Sequence, residues 1–197
     1  MNMNIILASN SPRRRELLSG LGLEFDVIGD STPEPKNSGL SPFEMVCELA
    51  KFKCENVLST LPDDFSGIVI GADTVVAIDD AILGKPKDEE DALDMLLRLS
   101  GNMHQVYTGV CVKDSFGKKE KVFYEKTEVF FKKLDINEIK DYINTGEPMD
   151  KAGAYGIQNL GSLFVEKING DYFNVVGLPV SHLGEVLKKD FDIRFFK

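Results

Sequence analysis

Tryptophan is absent from this chain of 197 residues, cysteine occurs three times and histidine twice. The cysteines, at positions 47, 54 and 111, cannot all pair, and no C-x-x-C is present. Neither a disulfide framework nor a thiolate zinc site is expected from them. Cys47 and Cys54, seven apart, share one helical face and read as packing. His104 and His182 lie far apart and lack metal-pair spacing. Long apolar runs are missing too: none approaches the length of a membrane-spanning helix. Residues 1–7 show no cationic region ahead of a long apolar stretch, so no secretory leader is expected. These absences point to a cytoplasmic setting with no membrane association.

Positive charge is in deficit, with 23 Lys and Arg against 32 Asp and Glu, a net −9. That balance argues against a duplex DNA binder, which needs a broad basic face. Without tryptophan or an evident aromatic platform, single-stranded nucleic acid is disfavoured as well. Any polyanionic ligand must be held by a few local cations. Several familiar motifs are also missing: G-x-x-x-x-G-K-[ST], G-x-S-x-G, H-E-x-x-H and G-x-G-x-x-G. A Walker-type nucleotidase, a triad hydrolase, a zincin and a Rossmann dehydrogenase are therefore disfavoured.

What is present is an ordinary globular composition, 43% hydrophobic and 28% charged, long enough for one domain or two intimate lobes. Residues 5–8 form a short apolar run read as a buried strand, leading into a helix over 13–21 closed by Gly20 and Gly22. Residues 25–28 read as a second strand, followed by a Pro-, Gly- and Ser-rich loop over 31–40. Ser41-Pro42-Phe43-Glu44 is a helix start with a capping box, and that helix runs to about Leu58. Residues 68–78 are the strongest strand, turned at Asp79-Asp80 towards 81–83. Acidic residues 88–91 open a further helix ending at Ser100-Gly101. Residues 105–112 and 120–131 read as strands, and 135–143 as a capped helix stopped at Gly146. Asn169-Gly170 suits a hairpin turn, so 163–168 and 172–176 are expected to pair as strands, with a last helix after Pro179. The expected class is α/β with a mixed sheet, one domain over 1–197 and no separable linker.

Six positions or stretches stand out chemically. Ser9-Asn10-Ser11-Pro12-Arg13-Arg14-Arg15 brings hydroxyls and arginines to a strand end and helix N-terminus. Unpaired N–H groups and planar cationic forks suit phosphate oxygens. An ordinary Ser-Pro cap explains Ser11 and Pro12, but not three arginines where the dipole disfavours cations. Asp73 interrupts the apolar run Ile68-Val69-Ile70-Gly71-Ala72-Asp73-Thr74-Val75-Val76. A carboxylate in a doubly buried strand needs a lysine, a metal or a strand-end position. Gly71, on the same face, leaves room there for a ligand or another backbone. Lys53 falls within the apolar arc of its helix, either as a snorkelling edge residue or as an ammonium aimed into an anionic site. Glu34, between Pro33 and Pro35, offers a second carboxylate on a stiffened loop. Gly84-Lys85-Pro86 sets a lysine in a constrained turn, and Gly153 and Gly156 allow close backbone approach in Asp150-Lys151-Ala152-Gly153-Ala154-Tyr155-Gly156-Ile157-Gln158. These are parts for metal-assisted phosphoryl chemistry.

Taken in order with Val176-Gly177-Leu178-Pro179, these motifs resemble the Maf family of nucleoside triphosphate pyrophosphatases, from about Asn4 to Arg194. The resemblance implies a strongly twisted mixed sheet flanked by helices, two-lobed with a central cleft as in inosine triphosphatases, and often a homodimer. It implies hydrolysis between the α- and β-phosphates, with Mg²⁺ or Mn²⁺, to a nucleoside monophosphate and pyrophosphate. Asp73 matches the family's proton acceptor, and Glu34, Lys53 and Lys85 match residues beside it. A divalent metal would be expected on Asp73 and Glu34, with Asp73 serving either as metal ligand or as base. Ser9, Ser11, Arg13 and Arg14 match the triphosphate-binding end. Arg13, Thr74 and Gln158 match members acting on dTTP and UTP, modified pyrimidine nucleotides included. A purine- or 7-methyl-GTP-preferring pyrophosphatase would share the phosphate machinery. A non-catalytic nucleotide sensor is the other alternative, since family members have been linked to septum formation in cell division.

Overall fold

Strand β1 (Asn4–Ala8) lies parallel to both β2 (Asp26–Val27) and β3 (Gly67–Ile78), with Ile6 opposite Asp26 and Val69. The computed structural model describes residues 3–29, 31–35, 39–79 and 81–196. Strand β4 (Ala81–Leu83) turns back antiparallel on β3. With β5 (Met103–Asp114), β6 (Glu120–Phe131) and β7 (Val165–Asn169) the order is β2-β1-β3-β5-β6-β7, with β4 off this path. Parallel pairs at one end and the antiparallel β6–β7 pair at the other make the sheet mixed, as the sequence indicates. Residue Asp80 of the expected turn, and 36–38 of the Pro-rich loop, fall outside the described residues.

The chain divides into two units, residues 1–73, 108–125 and 177–197 in the first and 74–107 and 126–176 in the second. In the first, strand alternation sorts the core. Ile5, Leu7, Ile68 and Ile70 face one way, onto Leu18 of α1 (Pro12–Ser19) and Leu183 and Leu187 of α6 (Val180–Asp190). Ile6, Ala8 and Val69 face the other way, onto Ala50, Cys54 and Val57 of α2 (Pro42–Thr60). This is the two-residue period of a strand covered on both faces. Helix α2 lies close because Gly71 and Gly109 carry no side chain: a Cβ at either would run into the α2 backbone at Ala50 or Val46. Of the two uses weighed for Gly71, backbone approach is the one observed.

In the second unit, α3 (Glu89–Leu99) packs on α4 (Ile136–Asn144), burying Leu96, Leu99, Ile139 and Ile143. Asp88 caps α3 through the Asp91 N–H, and Asp135 and Glu138 form the expected capping box of α4. One expectation is overturned. Residues 172–176 are not a strand but the short helix α5 (Tyr172–Val176), and β7 pairs with β6 instead. Gly170 takes φ +128°, outside the narrow left-handed values a type I′ turn requires, and a Cβ there would press on Thr127. Asp171 accepts the Phe173 N–H at 2.8 Å and starts a helical turn. The buried Asn174 then bonds the Val106 carbonyl and the Thr127 hydroxyl.

Candidate active site

In the first unit β1 ends at Ala8, and the chain turns through Ser9 and Ser11 into α1. Ser11 is the N-cap, its hydroxyl accepting the Arg14 N–H at 3.5 Å. The buried Ser9 hydroxyl accepts from the Ser11 N–H at 3.2 Å and from Arg14 Nη1 at 3.5 Å. Arg14 thus folds back over the strand ends. Its Nε donates to the Gly177 carbonyl at 2.7 Å and its Nη1 to the Ala72 carbonyl at 2.8 Å. Burial lowers its pKa, with the neighbouring Asp73 charge acting in opposition. Arg13, half-buried, is the next cation on the same turn.

Asp73 lies midway along β3, a strand buried over most of its length, two residues beyond Gly71 on the face that meets α2. Lys53 of α2 reaches it, Nζ standing 2.5 Å from Asp73 Oδ1 and 2.9 Å from Glu34 Oε1. The lysine inside the apolar arc is therefore an ammonium between two carboxylates, not an edge residue in solvent. Asp73 is 9% exposed, and burial raises its pKa while Lys53 and Arg14 pull it down. Ser9, Ser11, Arg14, Glu34, Lys53 and Asp73 are brought together in this one unit. The Ala72 and Gly177 carbonyls that anchor Arg14 carry no side-chain signature.

Thr74, Lys85 and Gln158 belong to the second unit. Thr74 is half-buried on β3, and Lys85 is exposed in its turn. That turn is tied to the glycine-bearing loop, for the Gly153 N–H donates to the Gly84 carbonyl at 3.0 Å. Gly153 takes φ +68°, and a Cβ there would strike Val76. Gln158 precedes the 3₁₀ turn Asn159–Phe164 in extended conformation, and its amide is not used as a cap. Tyr155 is anchored in the core by a 2.8 Å hydrogen bond with His104 Nε2.

Burial keeps the His104 ring neutral, pushing its pKa from 6.5 down to about 4. The unfolded chain binds a proton on this ring as pH falls below about 6.5, whereas the folded chain does not, so stability falls over that range. The expected loss between pH 7 and pH 4 is about 3 kcal/mol. Urea unfolding of wild type and His104→Gln at both pH values checks it: the variant should lack this share of acid sensitivity. Equal sensitivity in the two proteins would contradict the assignment.

Among the described residues no three His, Cys, Asp or Glu side chains form a cation cage, and no helix is long and apolar enough to cross a membrane. The chain is 52% identical over 192 residues to the dTTP/UTP pyrophosphatase of Thermoanaerobacter sp. (strain X514), covering 98% of this chain and 99% of that protein. It is 56% identical over 189 residues to the protein so named in Alkaliphilus oremlandii, covering 96% and 97%. The protein of the same name in Clostridioides difficile is 52% identical over 194 residues, covering 98% of each. The solved Staphylococcus aureus Ham1 protein is a fainter likeness, with TM-score 0.46, 20% identity and coverage of 65% and 71%. Residues 4–190 match the Maf-like protein family, and with full-length relatives above half identity this chain belongs to that family.

Proposed function

We propose that this chain hydrolyses dTTP and UTP to the nucleoside monophosphate and pyrophosphate. The observation that carries the reading is Asp73, a buried carboxylate held by Lys53 beside Glu34 and Arg14, in a chain whose full-length relatives bear that name. Arg13 and Arg14, with Ser9, Ser11 and the α1 N-terminus, hold the triphosphate. Arg14 does so while braced on two main-chain carbonyls, which fixes its plane. Lys53 and Lys85 offset charge that develops on the phosphate oxygens. Asp73 accepts the proton of the attacking water, and the burial that raises its pKa favours that role.

The residues fit a Mg²⁺- or Mn²⁺-sized ion. Glu34 and Asp73 already share one cation, the Lys53 ammonium, and two carboxylates with substrate phosphates suit such an ion better than a protein-only cage. When bound, the ion supplies charge neutralisation on the phosphates. Thr74 and Gln158 read the base, the amide of Gln158 pairing with the donor–acceptor edge of uracil or thymine. The cytoplasmic setting and the homodimer implied by the family resemblance belong to the same reading.

A nucleotide panel with Mg²⁺ and Mn²⁺ tests base preference. UTP and dTTP should be turned over ahead of CTP, GTP and 7-methyl-GTP, and Gln158→Ala should cut the UTP-to-CTP ratio about tenfold. Preference for a purine would move the chain to the other branch of the family. No turnover of any nucleotide would leave a sensor.

A further inference from the structure

The segment that carries Gln158 is held by two side chains lying before it in sequence. The Gly156 N–H donates to Tyr142 Oη at 3.4 Å. On the other side of Gln158, the Leu160 and Gly161 N–H groups donate to the two oxygens of Glu147, at 3.4 and 3.2 Å. Tyr142 in turn donates its hydroxyl proton to Glu147 Oε1 at 3.0 Å, which makes phenol and carboxylate one relay. Both Glu147 oxygens are thus directed at one six-residue bend. The Gly161 N–H is buried and needs a partner, and the same carboxylate that supplies it also takes the N–H of the exposed Leu160.

The relay is itself fixed. Tyr142 sits on α4, 5% exposed, with its ring edge-on to Phe164 at 4.9 Å. Burial and the Glu147 charge raise its pKa, so the hydroxyl keeps its proton to donate. Gly161 closes the bend: a Cβ there would meet the Gly156 backbone and stand 2.8 Å from Tyr142 Oη. Asn159 takes φ +56°, so the residue after Gln158 is held in a left-handed conformation.

We propose that Glu147 and Tyr142 are positioning residues that set Gln158 for base recognition, and thereby set the preference for uracil and thymine over cytosine. This rests on the reading of Gln158 above. Uracil and cytosine are the same size and present reversed donor–acceptor edges. An amide free to turn over would pair with either, so discrimination requires the bend to be held.

The test compares kcat and KM for UTP and CTP in wild type, Gln158→Ala, Glu147→Ala, Glu147→Gln and Tyr142→Phe, with thermal unfolding of each. Glu147→Ala should lower the UTP-to-CTP ratio of kcat/KM about tenfold, through a higher KM for UTP and a KM for CTP that is unchanged or lower. Tyr142→Phe should shift the ratio in the same direction, and Glu147→Gln, which keeps an acceptor oxygen, should recover part of it. A wild-type ratio in Glu147→Ala and Tyr142→Phe beside a collapsed ratio in Gln158→Ala overturns the positioning role alone. Equal losses for UTP and CTP overturn it too, since a merely structural brace would give them. A wild-type ratio in Gln158→Ala removes the reading of Gln158 itself, and the positioning role with it. Should Glu147→Ala fail to fold, Tyr142→Phe decides.

Discussion

Asp73→Asn should lower pyrophosphate release from UTP at least about a thousandfold, with no loss of stability. The cause is electrostatic. Burial raises the Asp73 pKa, which means that the folded state disfavours the charge relative to the unfolded chain. At neutral pH that charge is held at a cost in stability, partly offset by Lys53 and Arg14. Asparagine keeps the shape and removes the cost, but it cannot accept a proton or neutralise a cation. Unfolding free energy should therefore stay level or rise while turnover disappears, a common trade at catalytic centres. Steady-state assay and urea unfolding of the same preparation read both. An active variant would remove Asp73 from the chemistry, and a strongly destabilised one would make it a structural residue.

Arg14→Ala should fail in both respects. Its guanidinium joins the Ala72 carbonyl beside Asp73 to the Gly177 carbonyl at the approach to α6. Truncation leaves two main-chain acceptors in buried residues without these donors, for about 2–4 kcal/mol of stability. It also removes a cation proposed to hold the triphosphate, so turnover should fall at least about a hundredfold beyond what unfolding explains. Arg14→Lys should recover little, because one ammonium cannot serve two carbonyls and a phosphate with the geometry of a planar fork. A shift in the urea midpoint with unchanged slope measures the first effect. Full stability in Arg14→Ala would contradict the bracing role.

Much of this centre was legible in the sequence because its residues break local patterns. Asp73 is a charge in an apolar strand, Lys53 a cation on the wrong side of an amphipathic helix, and Arg13 and Arg14 cations at a positive dipole end. Each anomaly resolves in the structure as proximity to another: Lys53 meets Asp73, and Arg14 lies close enough to feel its charge. Gly71 was legible as a close approach, but what approaches is the α2 backbone, set by packing from a helix about twenty residues earlier. Contacts fixed only by tertiary structure left no such mark. The Gly177 and Ala72 carbonyls on Arg14 have no side-chain signal, and Glu147 looks like any surface glutamate until its oxygens meet Leu160 and Gly161. The Asn169-Gly170 turn misled for a similar reason. The dipeptide permits a type I′ turn, but Thr127 and Asn174 hold the following residues as a helix.

Water attack on a nucleoside triphosphate at the α–β linkage is proposed to occur at the Asp73 centre. Phosphorus NMR of the products from UTP with Mg²⁺, for wild type beside Asp73→Asn, tests it most directly. Wild type should give UMP and pyrophosphate in equal amounts, and the variant neither. UDP and orthophosphate, or unaltered product formation by Asp73→Asn, would contradict it.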